Sequence, residues 1–505
     1  MLAKVFSGCV VGLDGILIEV EVDVAERGFP TFTIVGLPNK AVDEAKDRVR
    51  TAIVNTGFEM PDSRITVNLA PADIPKEGSA FDLPIAVGIL ASSKLIQIEE
   101  LSKSLFIGEL SLEGDIRPVD GIISIIMMTR EKRITQVFLP LENVQETFLF
   151  DDISIFPVRK LSDLILHLNL QKRLVLQKSD EIKTVADEIY ETDFSEIKGQ
   201  ETAKRALEIA ASGFHNIHLK GPPGAGKTLL SRAFPSILPP MEKQEILEVS
   251  QIYSVAGLLR KQPFSRQRPF RSPHHTGSRI GLIGGGSIPK PGEISLAHRG
   301  VLFLDELPEF PRFVLEALRQ PLEEGFVSIS RAAGSVQFPS RFLLLSASNP
   351  CPCGYLSHPK RHCSCLPGMI LKYRKRLSGP FLDRIDLHID VPSVEQEKLT
   401  SLQEGNTSET IRKRVMEAYA RQKKRLEGTR ISTNGEMTSK MIRQFCKLTS
   451  DAEEILKQAI DRFSLSARSY FKTIKVAQTI ADLSGKNIIE RSHITEGLQF
   501  RFYEE

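Results

Sequence analysis

The run Gly-Pro-Pro-Gly-Ala-Gly-Lys-Thr at residues 221–228 restricts the fold more than any other part of the sequence. It completes the pattern G-x-x-x-x-G-K-[ST], in which glycines carry a loop from a strand to a helix and gather backbone N–H groups around phosphate. The flanks fit, because the short apolar run 216–219 is typical of a strand and residues 229–234 of a helix. The pattern predicts a site for a nucleoside triphosphate; the alternative is a glycine-rich loop that merely turns the chain.

The residues of this loop have separate expected roles toward ATP and Mg²⁺. Lys227 is expected to reach the β- and γ-phosphates, and the Thr228 hydroxyl to ligate Mg²⁺. The residues expected to line the phosphates are Gly221, Pro222, Pro223, Gly224, Ala225, Gly226, Lys227 and Thr228.

An acidic pair at the end of a buried strand is the second requirement of an ATP-hydrolysing site. The apolar run 301–304 ends in Asp305 and Glu306. Asp305 is expected to hold Mg²⁺, and Glu306 to polarise the attacking water. Strands that end in two acids are common, so the pair carries weight only because it follows a phosphate loop.

Two further polar residues fit the same reaction. A second apolar run, 342–348, ends in Asn349, which can orient water against the γ-phosphate. Arg384 lies between two aspartates and fits an arginine finger, because a guanidinium fork neutralises charge on a transferring phosphate. The alternative for this arginine is an ion pair with Asp383 or Asp386.

Length and composition exclude several protein classes. A chain of 505 residues predicts about two to four domains, and 41% apolar with 26% charged residues is typical of a soluble globular protein. No apolar run approaches the roughly 18 residues that cross a bilayer. The start, residues 1–8, lacks the apolar stretch and cleavage site of a secretory signal. We therefore expect a cytoplasmic protein without a membrane partner.

Patterns along the chain predict a multidomain α/β protein. Residues 1–168 form a mixed α/β domain, 169–195 a charged linker, and 196–394 a core with a doubly wound parallel sheet. Residues 395–505 are predicted to be a helical lid. Strands of the first domain are expected at 16–20, 31–35 and 64–69. Helices of the lid are expected to start near Ser408, Thr438, Ser450, Ser466 and Ser492.

The net charge of +3 says little about partners, but the basic residues are unevenly distributed. Residues 249–292 and 351–382 contain no acidic residue. The basic residues of these two stretches are Arg260, Lys261, Arg266, Arg268, Arg271, Arg279, Lys290, Lys360, Arg361, Lys372, Arg374, Lys375 and Arg376. They form either solvated faces or contacts with a polyanion, which in a nucleotide-driven protein means nucleic acid.

Four cysteines fall within one short segment, as Cys351, Cys353, Cys363 and Cys365. Disulfides are disfavoured in a cytoplasmic protein, so four thiolates around a tetrahedral Zn²⁺ is the preferred interpretation. Four protein ligands leave no open position, so the role of this metal would be structural. The alternative is a tight loop of reduced thiols.

Together these motifs resemble the ATP site of AAA+ ATPases. Residues 221–228 resemble the Walker A motif, and Asp305–Glu306 resemble Walker B. Asn349 resembles sensor 1, Arg384 the arginine finger and Arg468 sensor 2. The run 292–306 resembles the magnesium-chelatase and MCM-helicase branch, and the order of domains resembles the YifB/ComM family of magnesium-chelatase-like ATPases. In that family the segment 197–200 (Ile-Lys-Gly-Gln) would lie near the adenine, with Ile197 and Gly199 as the candidate binding residues. Whether Arg468 acts on its own subunit's nucleotide or on a neighbour's stays open.

The resemblance also implies a homo-hexameric ring, in which an arginine finger reaches a neighbour's nucleotide and loops in the pore grip the substrate. Two segments fit such loops: a hairpin predicted at 326–341 with Arg331 at its tip, and the glycine-rich 280–287 followed by Lys290. Both lack acidic residues, which is compatible with tracking a phosphate backbone. Arg331 and Lys290 are the candidate DNA contacts.

The first domain resembles the Lon protease domain without its catalytic pair. Residues 75–83 and 108–118 are similar to the stretches that carry the nucleophilic serine and precede the catalytic lysine. Gapless alignment places Ala80 and Ile123 at those two positions, although a one-residue slip would restore Ser79 without supplying a lysine. The Ser–Lys reaction needs both groups, so we expect a non-proteolytic domain that serves assembly or DNA contact.

The expected function is an ATP-driven ring motor on DNA, with the family's helicase and branch-migration activity in recombination of incoming DNA during natural transformation. The runner-up is a protein-remodelling or metal-insertion ATPase similar to magnesium chelatase, although the chain supplies no separate integrin-like metal-binding domain. An ATP-dependent protease is opposed by Ala80 and Ile123. The basic segments without acids favour the motor on DNA.

Overall fold

The computed structural model divides the chain into two compact units. The first comprises Met1–Val185, Lys243–Ser265 and Ala332–Phe338. The second comprises Ala186–Glu242, Arg266–Arg331 and Pro339–Glu505. The structure describes residues 2–26, 29–37, 39–76, 78–97, 101–177, 190–259, 265–286, 289–331, 334–356, 358, 360–393, 405–463 and 465–501.

The strands form two large sheets and three two-stranded ones. In chain order they are β1 (Leu2–Val11), β2 (Asp14–Val24), β3 (Thr31–Val35), β4 (Arg64–Ala70), β5 (Ser104–Phe106), β6 (Glu109–Leu110), β7 (Ile116–Arg117), β8 (Gln136–Pro140), β9 (Ser154–Val158), β10 (Ile217–Lys220), β11 (Phe270–Arg271), β12 (Gly284–Gly285), β13 (Lys290–Pro291), β14 (Val301–Leu304), β15 (Phe326–Arg331), β16 (Gly334–Pro339), β17 (Leu343–Ser348) and β18 (Leu387–Asp390).

Helices alternate with these strands and then take over toward the C-terminus. In chain order they are α1 (Lys40–Asp43), α2 (Ala45–Asn55), α3 (Asp82–Ser92), α4 (Ile122–Glu131), α5 (Leu161–Leu168), α6 (Glu201–Gly213), α7 (Lys227–Ala233), α8 (Lys243–Val255), α9 (Arg279–Ile283), α10 (Glu293–Leu296), α11 (Arg312–Ala317), α12 (Arg319–Glu324), α13 (Pro367–Arg374), α14 (Gly379–Leu382), α15 (Ser408–Arg425), α16 (Ser439–Phe445), α17 (Ser450–Phe463), α18 (Ala467–Leu483) and α19 (Arg491–Gln499).

The first unit is built on a seven-stranded mixed sheet in the order β3-β4-β2-β1-β5-β8-β9. Alternation along β2 shows why its sequence forms a strand, because Ile18, Val20 and Val22 are fully buried while the intervening glutamates are not. Helix α3 is buried along its whole length and packs against β1 and β2. Apolar residues of α3 and of these two strands belong to one large apolar cluster of the unit.

Helix α8 completes the first unit although it lies far along the chain. Its Gln251 side-chain nitrogen donates to the backbone oxygen of Leu13 at 2.8 Å. The backbone N–H of Gly121 donates to the oxygen of Ser254 at 3.1 Å, and the Ser254 hydroxyl donates to the Glu146 carboxylate. The unit is therefore discontinuous in sequence.

The second unit contains a five-stranded sheet in the order β11-β14-β17-β10-β18, and every neighbouring pair is parallel. Strands β14 and β17 are buried at every position, as expected when helices cover both faces. Because all five strands point the same way, the loops after their carboxyl ends meet at one edge. The predicted α/β fold with a parallel core sheet is confirmed.

Helices α15–α19 form the C-terminal region of the second unit, as the sequence predicted. Side chains of Thr407, Thr438 and Ser466 accept backbone hydrogen bonds at the starts of α15, α16 and α18, which explains where these helices begin. Inside this region the buried carboxylate of Asp482 accepts hydrogen bonds from Arg425 and Asn434.

Membrane-spanning helices were searched for in the described part of the chain. None of the helices there combines the length and the apolar character that a bilayer crossing requires.

Candidate nucleotide-binding site

The loop between β10 and α7 adopts backbone conformations that glycine accepts more readily than other residues. Gly224 and Gly226 have φ of +77° and +87°, in the left-handed region. A side chain at Gly221 would place its Cβ 2.2 Å from the backbone oxygen of Val391, just after β18. The glycines at these positions are thus required by the path of the chain, which leads directly into α7 at Lys227.

The ammonium group of Lys227 donates hydrogen bonds to three oxygens. Its Nζ donates to the backbone oxygens of Gly221 and Pro222 at 2.6 and 2.9 Å, and to Oδ1 of Asn349 at 3.1 Å. Burial lowers the pKa of Lys227, while the charges of Asp305 and Glu306 oppose that shift. The ammonium group and the predicted water-orienting amide therefore lie side by side.

The acidic pair Asp305–Glu306 follows strand β14, and Asp305 lies beside Thr228 of the phosphate loop. The Thr228 hydroxyl donates to Oδ2 of Asp305 at 2.9 Å, so the two predicted Mg²⁺ ligands are in direct contact. The Glu306 backbone N–H donates to Oδ1 of the same aspartate at 2.9 Å. Glu306 itself is in the left-handed region, with φ of 51°, which turns the chain sharply after the strand.

A histidine pair that the sequence analysis missed lies next to Glu306. Nδ1 of His275 is 3.9 Å from Oε2 of Glu306, and its ring is 4.2 Å from the ring of His274. Both histidines follow β11, which pairs in parallel with β14 and so ends at the same edge of the sheet. The sequence offered the adjacent His274-His275 pair as a signal, but no strand was predicted before it.

A buried histidine, His218, links strands β10 and β17 beneath the phosphate loop. The two ring nitrogens of His218 in β10 are each 2.9 Å from a serine hydroxyl of β17, those of Ser346 and Ser348. Burial, with smaller contributions from Lys220 and Lys227, lowers the pKa of His218 to about 3, so this ring is neutral at physiological pH.

The segment predicted to lie near the adenine is attached to the phosphate loop. Ile197 is buried, and Gly199 has φ of +66°. The next residue, Gln200, donates from its side chain to the backbone oxygens of Ala225 and Pro392 at 3.2 and 2.6 Å. Gln200, the last residue of the segment expected near the adenine, therefore connects that segment to the phosphate loop.

Arg384 and Arg468 share one carboxylate partner, Glu323. Nη2 of Arg384 is 2.8 Å from Oε1 of Glu323 in α12, and Nη2 of Arg468 contacts the same oxygen. Asp386, one partner considered for Arg384, instead pairs with Lys472 at 3.0 Å. Sequence reasoning missed Glu323, which lies outside every motif.

The four predicted cysteines converge in the loop that follows β17. Their Sγ atoms all lie within 4.8 Å of one another. The Sγ of Cys351 is 3.4 Å from that of Cys353 and 3.7 Å from that of Cys363. The Sγ atoms of Cys353 and Cys363 are 3.6 Å apart. In a tetrahedral site with Zn–S bonds of about 2.3 Å, the sulfur atoms lie about 3.8 Å apart. The four Sγ atoms, that of Cys365 included, are close enough together to fit this ion.

The cysteine loop is packed against the phosphate loop. Gly354 has φ of +82°, and a Cβ on it would lie 2.4 Å from Cδ of Pro223. The same Cβ would be 3.8 Å from Cγ of Asn349. No side chain fits between the two loops at this point.

The candidate DNA contacts lie in short strands. Lys290 is exposed and begins β13, which pairs with the glycines of β12. Arg331 ends β15, and β16 follows after two residues, as a hairpin requires; the side chain of Arg331 and the tip residues 332 and 333 lie outside the described part.

The positions compared with the Lon catalytic pair lie in the first unit. Ile123 is fully buried in α4, and Ala80 is half-buried. The Ser79 hydroxyl donates to the carboxylate of Glu109, which also pairs with Arg117 at 3.4 Å.

Comparison with protein families matches almost the whole chain to one kind of protein. The model of magnesium chelatase subunit ChlI matches residues 193–399. A second model of this subunit matches residues 20–143, and the model of its C-terminal part matches residues 405–501.

Similar proteins are known over the full length. The chain is 44% identical to competence protein ComM of Haemophilus influenzae and 42% identical to uncharacterized protein YifB of Escherichia coli, in each case over 99% of this chain and 97% of the relative. The magnesium-chelatase 38 kDa subunit of Rhodobacter capsulatus is 28% identical over 31% of this chain and 50% of its own length. With its phosphate loop, parallel sheet and helical C-terminal region, the chain belongs to the YifB/ComM family of magnesium-chelatase-like AAA+ proteins.

Proposed function

We propose that this protein is an ATP-hydrolysing ring motor that acts on DNA. The observation that carries the proposal is the contact network of Lys227, Thr228, Asp305 and Asn349 at one edge of a parallel sheet, with Glu306 bonded to it through its backbone. These are the groups that phosphate binding, Mg²⁺ binding and water activation require.

In this proposal each group of the site has one task. Lys227 leaves its carbonyl partners for the β- and γ-phosphates, while Asn349 stays beside it to orient water. Thr228 and Asp305 would hold Mg²⁺, which neutralises charge on the transferring phosphate. Glu306 accepts a proton from the attacking water, and its bonded backbone keeps the carboxylate at the site.

The proposed ring follows from the separate location of the arginines. Arg384 and Arg468 both contact Glu323, and within the described part of the chain no hydrogen bond or ion pair joins either of them to Lys227, Thr228, Asp305 or Asn349. A guanidinium group that stabilises the transition state would then come from elsewhere. A neighbouring copy supplies both arginines in a closed ring, which we take to be a homo-hexamer as in the wider superfamily. Arg468 then acts on the neighbour's nucleotide.

DNA is the proposed substrate of the motor. One full-length relative is named a competence protein, and the segments around Lys290 and Arg331 carry basic residues without acids. Such loops can follow a phosphate backbone without reading bases. Within this proposal the activity is helicase and branch migration on DNA taken up during natural transformation, in the cytoplasm.

A second candidate is a chelatase-like or protein-remodelling ATPase without DNA translocation. The observation that favours it is the match to magnesium-chelatase subunits in sequence. Both candidates share the ATP site, so DNA dependence separates them.

Two further assignments belong to the proposal. Cys351, Cys353, Cys363 and Cys365 hold a structural Zn²⁺. The predicted boundaries of 1–168, 169–195, 196–394 and 395–505 separate a non-proteolytic N-terminal domain, a linker, the ATPase core and the lid.

The test is ATP hydrolysis measured with and without single-stranded DNA. We expect stimulation of the native protein by DNA, and loss of hydrolysis in Lys227→Ala. Lys243→Ala, an exposed lysine at the start of α8, is the matched control and should behave as the native protein does. Equal rates with and without DNA, together with no salt-sensitive DNA binding, would favour the second candidate.

A further inference from the structure

Glu323, near the end of α12, contacts two arginines that lie far from it and from each other in sequence. Its Oε1 is 2.8 Å from Nη2 of Arg384 and also accepts a hydrogen bond from Nη2 of Arg468. One carboxylate oxygen therefore brings two guanidinium groups together.

The charges in this cluster do not balance, because one carboxylate faces two guanidinium groups. The Arg384 Nε is buried and has no hydrogen-bond partner among the described residues. Arg468 and Glu323 are 46% and 39% exposed, so an anion can approach from solvent. A terminal phosphate offers three oxygens and more negative charge than a carboxylate, and it suits two guanidinium forks better.

A second ion pair keeps the same elements in place without Glu323. Lys472, one turn after Arg468 in α18, lies 3.0 Å from Asp386, two residues after Arg384, and both side chains are nearly buried. Burial alone would raise the pKa of Asp386, but the charges of Lys472, His215 and Lys475 lower it to about 2. Burial lowers the pKa of Lys472 to about 8, which is still above neutral pH, so both members of the pair are ionised at pH 7. The pair joins α18 to the segment after Arg384 without using Glu323.

We infer that Glu323 gathers Arg384 and Arg468 into one anion-binding site and occupies that site until the terminal phosphate of a nucleotide on a second copy displaces it. The inference rests on the proposed function, in which both arginines act on a neighbour's nucleotide. Glu323 is then a positioning residue, and its contacts with the arginines oppose nucleotide-dependent assembly.

Glu323→Gln tests this, because it keeps the side-chain shape and removes the competing charge. Assembly is followed by analytical ultracentrifugation of the full chain as ATP is added. The ATP concentration for half-maximal assembly is expected to fall about threefold, as for the loss of two partly exposed ion pairs. The KM for ATP should fall in parallel, with kcat maintained and the melting temperature unchanged.

Glu324→Gln is the matched control. It removes the same charge from the next residue of α12, whose carboxylate accepts from Gln320 at 2.8 Å. Its assembly should follow the native curve. If Glu323→Gln does not melt cooperatively, Glu323→Ala replaces it with the same expectation.

Two results would overturn the inference in different ways. Assembly of Glu323→Gln at the same or a higher ATP concentration than the native protein would show that the carboxylate does not compete with phosphate. A native protein that neither hydrolyses ATP faster than Lys227→Ala nor assembles with ATP would overturn the proposed function itself.

Discussion

Single residues in the nucleotide site are joined by direct hydrogen bonds rather than by packing alone. Asp305 accepts from the Thr228 hydroxyl with one oxygen and from the Glu306 backbone with the other. The Glu306 backbone is thereby fixed, while its side chain remains exposed, 3.9 Å from His275. A substitution of the Glu306 side chain should therefore change the chemistry without disturbing the strand that carries it.

Glu306→Gln is expected to separate nucleotide binding from hydrolysis. Loss of a general base costs about 100-fold or more in rate, whereas binding depends on Lys227 and the loop. ATP hydrolysis and equilibrium ATP binding should be measured on the same preparation. Glu309→Gln, whose carboxylate pairs with Arg376, is the control and should keep the native rate. Equal losses of binding and hydrolysis in Glu306→Gln would contradict the role given to its carboxylate.

The sequence could point to candidate site residues only where a local motif is typical of ATP chemistry. Lys227, Asp305 and Asn349 each follow an apolar run that predicts a strand, and the structure places all three together. Glu323 could not be found in this way, because its contact with Arg468 joins positions 145 residues apart. His275 was missed for the same reason, since its neighbour Glu306 follows a different strand, β14, and lies 31 residues further along the chain.

Among the elements, the cysteine loop connects the end of β17 to α13 and touches the phosphate loop. Gly354 lies against Pro223 with no space for a side chain, and Cys351 follows Asn349 after one residue. A metal that fixes this loop would therefore also support one wall of the phosphate loop.

Cys363→Ser should lose the bound metal and weaken nucleotide binding. We expect about one zinc per native chain by elemental analysis, a clear loss in the variant, and a KM for ATP raised about threefold, because the cysteine loop packs against the phosphate loop at Pro223. Cys9→Ser lies in the other unit and should leave both values unchanged. Native protein that binds no zinc when the ion is supplied would refute the assignment.

Element boundaries were predictable where caps and alternation are local. The expected helix starts near Ser408, Thr438 and Ser466 agree with the observed helices. The side chains of Thr407, Thr438 and Ser466 accept hydrogen bonds from backbone N–H groups there. The order β11-β14-β17-β10-β18 depends on contacts between distant segments, and the sequence pattern did not predict it. Strand β1 was also not predicted, because its Ser-Gly-Cys stretch has a weak strand pattern and is stabilised by pairing with β2 and β5.

At the scale of the whole molecule, buried histidines couple the folding of the second unit to pH. Burial lowers the pKa of His218 from 6.5 to about 3, and that of His215 to about 4. The unfolded chain therefore binds protons below pH 6.5 that the folded chain does not bind. The stabilisation is complete above pH 6.5 and is lost as the pH falls toward these folded values.

This coupling predicts the slope of stability against pH. Between pH 6 and pH 5 each histidine should lower the free energy of unfolding by up to about 1.4 kcal/mol per pH unit. Urea denaturation at several pH values measures the slope, and His218→Gln should reduce it by about one proton. His358→Gln, in the cysteine loop and outside the sheet, is the control. A slope unchanged by His218→Gln would contradict the prediction.

The discontinuous first unit has a consequence for synthesis of the protein. Its sheet lies within the first 185 residues, but α8 and the segment Ala332–Phe338 belong to the same unit. On a ribosome, the nascent first unit stays incomplete until residue 338 has emerged, by which time most of the nucleotide-binding sheet has also been made. Chain release after the N-terminal sheet alone would leave Glu146 and Gly121 without their partner Ser254. The first unit is therefore expected to be completed during translation only after three strands of the nucleotide-binding sheet, β10, β11 and β14, have been made.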